Sequence, residues 1–198
     1  MPTHHVPRLE RTQRLVSLPA VALVDARTGG KPRLATALRV GFRDGSLVVR
    51  FDGRDEGTVA TLTARDDPLW TEDVYEVFLS PFDPPAVYFE FEVNPLGAVF
   101  DARVESPDLV RSTMRVDASW NLRGLSARSW VRPGRWSAVL EIPLAPLVPP
   151  GQPGSWRANF YRIDRSERDE FSAWSPPLAD PPDFHAASRF GRLELPRA

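Results

Sequence analysis

The acidic residues come in groups: Asp66-Asp67, Glu72-Asp73 with Glu76, Glu90 with Glu92, and Asp169-Glu170. A glycoside-processing enzyme needs two carboxylates facing each other across the scissile bond, so any of these groups could supply an acid and a nucleophile or base. Carboxylates in loops and on wet strand faces are also the commonest surface groups, which outweighs the catalytic reading. Hard cations want several oxygen ligands, and Asp52, Asp55, Glu56, Asp66 and Asp67 offer them in one stretch. That stretch lacks the spaced acidic pattern of a calcium loop. These residues name no definite cofactor, and a structural calcium is the one they leave room for.

Of the three histidines, His4 and His5 lie in a polar start and His185 stands alone in Asp183-Phe184-His185. A lone histidine is more often a hydrogen-bonded group than a metal ligand. No H-E-x-x-H pair, nucleophile elbow or glycine-rich phosphate loop is present. The six tryptophans divide into two sorts. Trp136 and Trp156 fall in phase with apolar strand positions and read as core, and Trp120 and Trp130 as core or interface. Trp70 and Trp174 instead sit beside proline and polar residues, in Pro68-Leu69-Trp70-Thr71-Glu72-Asp73 and Ala173-Trp174-Ser175-Pro176-Pro177. Loop aromatics held by proline suit sugar recognition, because a pyranose has an apolar C–H face that an indole covers and a rim of hydroxyls that planar polar side chains read.

Strands must position these groups. Over residues 34–52, Leu38, Val40 and Phe42 alternate with polar residues, Asp44-Gly45 turns the chain, and Leu47, Val49 and Phe51 return on the same face. Arg39, Arg43, Arg50 and Asp52 take the opposite, wet face. Segments 73–79, 87–93 and 98–104 follow as a three-strand meander. In the second, Val87, Phe89, Phe91 and Val93 alternate with Tyr88, Glu90, Glu92 and Asn94. Strands 126–131 and 136–142 meet at Pro133-Gly134, the proline-rich stretch 143–153 closes that unit, and 156–163, 171–174 and 192–195 complete the set. Nine or ten short strands with turns between them predict an all-β antiparallel two-sheet sandwich with very little helix. Between its sheets should lie Val40, Phe42, Val49, Phe51, Phe89, Phe91, Leu140 and Phe160.

Composition narrows the partners. Proline at 21 of 198 residues disfavours helices, and the 42% hydrophobic content is that of a globular chain. One domain over residues 1–198, with its core at about 34–195, is expected. With 25 basic and 26 acidic residues no positive field recruits nucleic acid or an anionic membrane surface. No apolar run reaches the ~20 residues of a membrane span. The absence of cysteine excludes disulfides and thiolate metal sites. The polar start lacks the apolar region of a secretory signal, so the expectation is a cytoplasmic protein, or a secreted or periplasmic one if a leader has been removed.

The run Trp70-Thr71-Glu72-Asp73-Val74-Tyr75-Glu76-Val77-Phe78-Leu79 resembles the W-x-x-D-x-x-E-x-F signature of family 9 carbohydrate-binding modules and the wider DOMON-like sandwiches. Tyr88 to Gly97 is similar to that family's next strand and turn, Trp156 to Arg162 to its penultimate long strand, and Ala173 to Gly191 to its closing motif. The resemblance implies a jelly-roll-like sandwich that binds a mono- or oligosaccharide without catalysis. Trp70 and Trp174 would clamp the ring, Glu76 would take hydroxyls, and Glu90, Asn159 or Arg162 would help. An arginine of the family is replaced by Glu90 in this chain, so Arg103, Arg162 or a bound metal is expected to neutralise Glu90 and Glu76. Some DOMON-like sandwiches hold haem b between a methionine and a histidine, for which Met114 and His185 are the available pair.

Overall fold

The computed structural model describes residues 1–149 and 156–196. The strands are β1 (Thr3–His5), β2 (Val21–Ala22), β3 (Val24–Asp25), β4 (Thr36–Arg43), β5 (Ser46–Arg54), β6 (Val74–Ser80) and β7 (Val87–Val93). They continue as β8 (Val99–Glu105), β9 (Arg115–Asp117), β10 (Ser126–Arg132), β11 (Arg135–Pro143), β12 (Arg157–Asp164), β13 (Glu170–Ala173) and β14 (Gly191–Glu194). Among the described residues the only helical pieces are five single 3-10 turns. Of the proline-rich stretch, 150–153 lies outside the described residues.

Two sheets face each other. One has the order β10-β11-β5-β4-β2, and the other runs β1-β14-β12-β6-β7-β8-β9 with β13 beside β12 and β3 beside β13. All pairs are antiparallel except β1 with β14, where the N-terminal residues strap the edge in parallel. The β4–β5 hairpin turns at Asp44 (φ 50°) and Gly45 (φ 81°), so both central residues are left-handed and match the strand twist. That turn sets the register Arg43 to Ser46, which carries Val40 opposite Val49 and Leu38 opposite Phe51 on one face.

Those residues meet Val77, Leu79, Phe89, Phe91 and Phe160 of the larger sheet in the principal core. Tyr75 lies between Phe51 and Trp136, with ring centroids 4.6 and 3.7 Å away. Trp136, Ala138, Leu140 and Ile142, in period two, are all fully buried. Phe42 is only half-buried, at the hairpin's end. The smaller sheet keeps its other face partly wet, as alternation predicts.

The larger sheet does not. Its outer face carries Phe78, Tyr88, Phe100, Tyr161 and Ile163, and loops bring Leu69, Phe184 and Phe190 down on them to make a second core. The polar set of β7 therefore lies under this layer: Tyr88, Glu92 and Asn94 are fully buried and Glu90 nearly so. Alternation places such residues on one face. Long loops without regular structure decide whether that face meets water.

Candidate functional site

A cleft of about 570 Å³ opens through the loop layer onto this outer face. Glu76 from β6, Glu90 from β7, Phe100 from β8, Ile163 from β12 and Phe171 from β13 contribute from the sheet, and Trp70, Met114 and Phe184 from the loops. Its volume lies within the usual range for small-ligand pockets.

Trp70 is held in place by its own tripeptide. Residues Leu69–Thr71 form a 3-10 turn in which Leu69 is fully buried as an anchor and the Thr71 hydroxyl donates to the Pro68 carbonyl at 2.7 Å. Arg165 Nη2 donates to the Trp70 carbonyl at 3.2 Å. The indole packs edge-on against Phe100, with centroids 5.1 Å apart, and stays 43% exposed. A large aromatic surface is thereby presented to the cleft without contributing to either core.

Below it the β6–β7 register sets Glu76 directly opposite Glu92 and Phe78 opposite Glu90. Side chains two apart on a strand share a face, so Glu76, Glu90 and Glu92 converge. Burial pushes the Glu90 carboxyl up to about 7. Glu76 and Glu92 are raised well above the ordinary glutamate range, by burial first and then by the neighbouring glutamate charges.

At another part of the cleft the Tyr88 hydroxyl is hydrogen-bonded to His185 Nδ1 at 2.9 Å and donates to Met114 Sδ at 3.2 Å. Met114 and His185 thus converge on this hydroxyl. Burial, helped by the Arg111 charge and opposed by Asp183, lowers the His185 imidazole to about 4 from 6.5. The unfolded chain takes up this proton near pH 6.5 and the folded chain only near 4, so the contribution of His185 to stability is lost as pH falls through that window. At pH 4.5 the loss should reach about 2–3 kcal/mol relative to pH 7.5. Urea unfolding at the two pH values checks it: in His185→Gln, which keeps a partner for Tyr88, the drop should be smaller than in the parent chain by about that amount.

Three of the expected sugar-site residues, Trp70, Glu76 and Glu90, meet in the cleft. The other three do not line it. Trp174 is only 7% exposed and belongs to the inter-sheet core, edge-on to Phe160 at 5.5 Å. The backbone explains this. Ala173 pairs with Tyr161 and the Trp174 N–H bonds the Phe160 carbonyl, so the indole follows Phe160 inward. It fills the space over Gly191, where a Cβ would come within 2.3 Å of the ring. Asn159 spends its amide on structure, donating to the Ser175 carbonyl and the Tyr161 hydroxyl and accepting from the Ser175 and Phe160 N–H groups.

Arg162 has the parity of Phe160 and points between the sheets, donating to Asp164 at 2.5 Å and Thr36 at 3.1 Å. Neither it nor Arg103, which pairs with Glu105 at 2.6 Å, neutralises Glu90. The carboxylates considered for calcium also disperse. Asp52 pairs with Arg39 and Arg50, Glu56 with Arg33, and Asp66 lies beside Arg65. Asp55 alone joins a cluster, with Asp73 and Asp164, beside Arg162. Burial raises Asp73 to about 6 despite N–H bonds from Val59 and Arg165.

Glu92, Phe171, Phe184, Arg111 and Arg165 were not expected at the site. Glu92 could have been found, since it shares parity with Glu90. The loop residues gave no periodic signal.

The family model for carbohydrate-binding family 9 matches residues 29–195. The chain belongs to carbohydrate-binding family 9. An "Extracellular protein" of Arthroderma benhamiae is 28% identical over 182 residues, which is 82% of this chain and 79% of that one. Among solved structures, a candidate carbohydrate-binding protein from Bacteroides uniformis superposes with a TM-score of 0.76 at 18% identity, over 98% of this chain and 99% of its own. A family 9 module from Caldicellulosiruptor kristjanssonii in complex with cellotriose gives 0.65 at 13% identity, covering 100% and 95%. The module from the same organism in complex with glucose gives 0.61 at 12%, covering 100% and 97%. These likenesses bear out the family 9 resemblance and the sandwich fold.

Proposed function

We propose that the cleft binds a mono- or oligosaccharide without transforming it. The observation that supports this most is the half-exposed Trp70 indole standing beside buried carboxylates in a cleft of small-ligand size. The indole covers one C–H face of a pyranose, and Glu76 and Glu90 accept hydrogen bonds from its hydroxyls. Arg111 and Arg165, which also line the cleft, donate to ring or glycosidic oxygens. The platform is a single tryptophan in this reading, not a clamp of two, because Trp174 is a core residue.

Binding is favoured over hydrolysis by the placement of the carboxylates. Glycosidases set their two carboxyl groups on opposite sides of the bond, about 5–9.5 Å apart. Glu76, Glu90 and Glu92 stand on adjacent strands of one wall, with ligand oxygens within 4.8 Å of one another. The relatives bound to glucose and cellotriose place β-glucan fragments first in the test. Calorimetric titration of the full chain with glucose, xylose, cellobiose, cellotriose and their reduced forms should give saturable binding to one site. A flat response to all of them, repeated on a broad glycan array, would sink the proposal.

A further inference from the structure

Glu76, Glu90 and Glu92 can each offer one carboxylate oxygen so that all three lie within 4.8 Å of one another, and all three residues are buried. Two observations separate this group from an ordinary acidic cluster. Glu92 is fully buried, and neither of its oxygens has a hydrogen-bond partner. Moreover, among the described residues no basic side chain forms an ion pair with any of the three. The arginines of the cleft are engaged elsewhere, Arg111 with Asp183 at 2.6 Å and Arg165 with Asp169 at 2.5 Å. Buried carboxylates are normally paired with a cation or coordinate a metal, and among the described residues no arginine closes to ion-pair distance on this group, although Arg111 and Arg165 line the same cleft.

The spacing suits a metal. Oxygens bound to one calcium ion at roughly 2.3–2.6 Å are at most about 5 Å apart, and an all-carboxylate donor set is that of a hard cation. Glu76 and Glu90 line the cleft whereas Glu92 lies deeper, so a cation among them is backed by Glu92 and open on the cleft side. The Asp55, Asp73 and Asp164 cluster differs in this respect. Arg162 pairs with Asp164 there and is near Asp55, and Asp73 accepts two backbone N–H bonds.

We propose that Glu76, Glu90 and Glu92 together bind a divalent cation of the calcium type in the floor of the cleft, and that hydroxyls of the saccharide complete its coordination. The second clause rests on the saccharide reading above; the first does not. The cation then offsets most of the charge of the three carboxylates, and binding of the sugar becomes cation-dependent.

The test uses the full chain, stripped with a chelator, dialysed, and titrated by calorimetry with CaCl2 and separately with MgCl2 and MnCl2. Calcium should give a saturable event and raise the melting temperature. Glu92→Gln, a neutral isostere, should weaken that event at least ~100-fold, while Asp55→Asn in the other cluster leaves it within about threefold. Glu90→Gln is measured in parallel, with circular dichroism on each variant, so that a folding failure of one does not decide the matter. No saturable event up to about 10 mM of any of the three cations, or an event kept in both glutamine variants and lost in Asp55→Asn, overturns the cation site. Glucose and cellotriose are then titrated with chelator and with calcium, and chelation should weaken binding at least ~10-fold. Equal sugar affinity in both conditions overturns the bridging clause while the saccharide reading stands. Calcium binding with no sugar bound in either condition overturns the saccharide reading and the bridge while the cation site stands.

Discussion

Trp70→Ala is expected to lower the affinity of the cleft for its best saccharide by about 30- to 100-fold, or roughly 2–3 kcal/mol, with little change in stability. The indole is 43% exposed and belongs to neither core, so its loss removes stacking surface and one edge contact with Phe100. Trp174→Ala should do the reverse. It empties a space between Phe160 and Gly191 in the inter-sheet core and should cost about 3–5 kcal/mol of folding stability. Sugar titrations and urea melts on both variants separate the two roles. If Trp174→Ala loses binding at unchanged stability, or Trp70→Ala binds normally, the single-platform reading fails.

Arg162→Met is expected to destabilise the fold by about 3–5 kcal/mol, a large part of the ~5–15 kcal/mol that holds a typical domain together. Arg162 is the buried cation among Asp55, Asp73 and Asp164, paired with Asp164 at 2.5 Å and 3.8 Å from Asp55. Its removal leaves three buried carboxylates without a counter-charge. The chain is packed tightly around it: a Cβ on Gly53 would stand 2.8 Å from Arg162 Nη1 and 2.2 Å from the Tyr75 hydroxyl. The defect should shrink in acid. Asp73 already has its folded-state carboxyl raised to about 6, and a carboxyl raised on folding destabilises the native state only where it is ionised. Without Arg162 that penalty grows at neutral pH and is relieved as pH falls below the folded value. Denaturant melts at pH 7.5 and 5 read the difference, and a cost under about 1 kcal/mol at both would refute the assignment.

The β6–β7 pair shows how much of the site the residues announced. Period-two alternation assigned Glu90 and Glu92 to one face and Phe89 and Phe91 to the other, and the W-x-x-D-x-x-E run put Trp70 and Glu76 at its edge. Register then followed from the meander, because antiparallel neighbours with short connections have few ways to pair. Trp174 was read from its proline-rich neighbours and Arg162 entered with the family resemblance, while the direction of each is that of Phe160, toward the inter-sheet space.

Alternation, turn chemistry and proline content by themselves determined a sandwich of antiparallel strands, its hairpins, its inter-sheet core and the local setting of Trp70. These are short-range properties, carried by side-chain direction along a strand and by backbone preferences at a turn. Only the tertiary structure decided that the larger sheet's outer face is covered by loops, which turns surface glutamates into a buried group and a lone histidine into part of a hydrogen-bonded cluster. That outcome depends on contacts between segments far apart in the chain, such as Leu69, Phe100, Ile163 and Phe184. No local pattern encodes it, because burial is a property of what lands on a face and not of the strand that presents it.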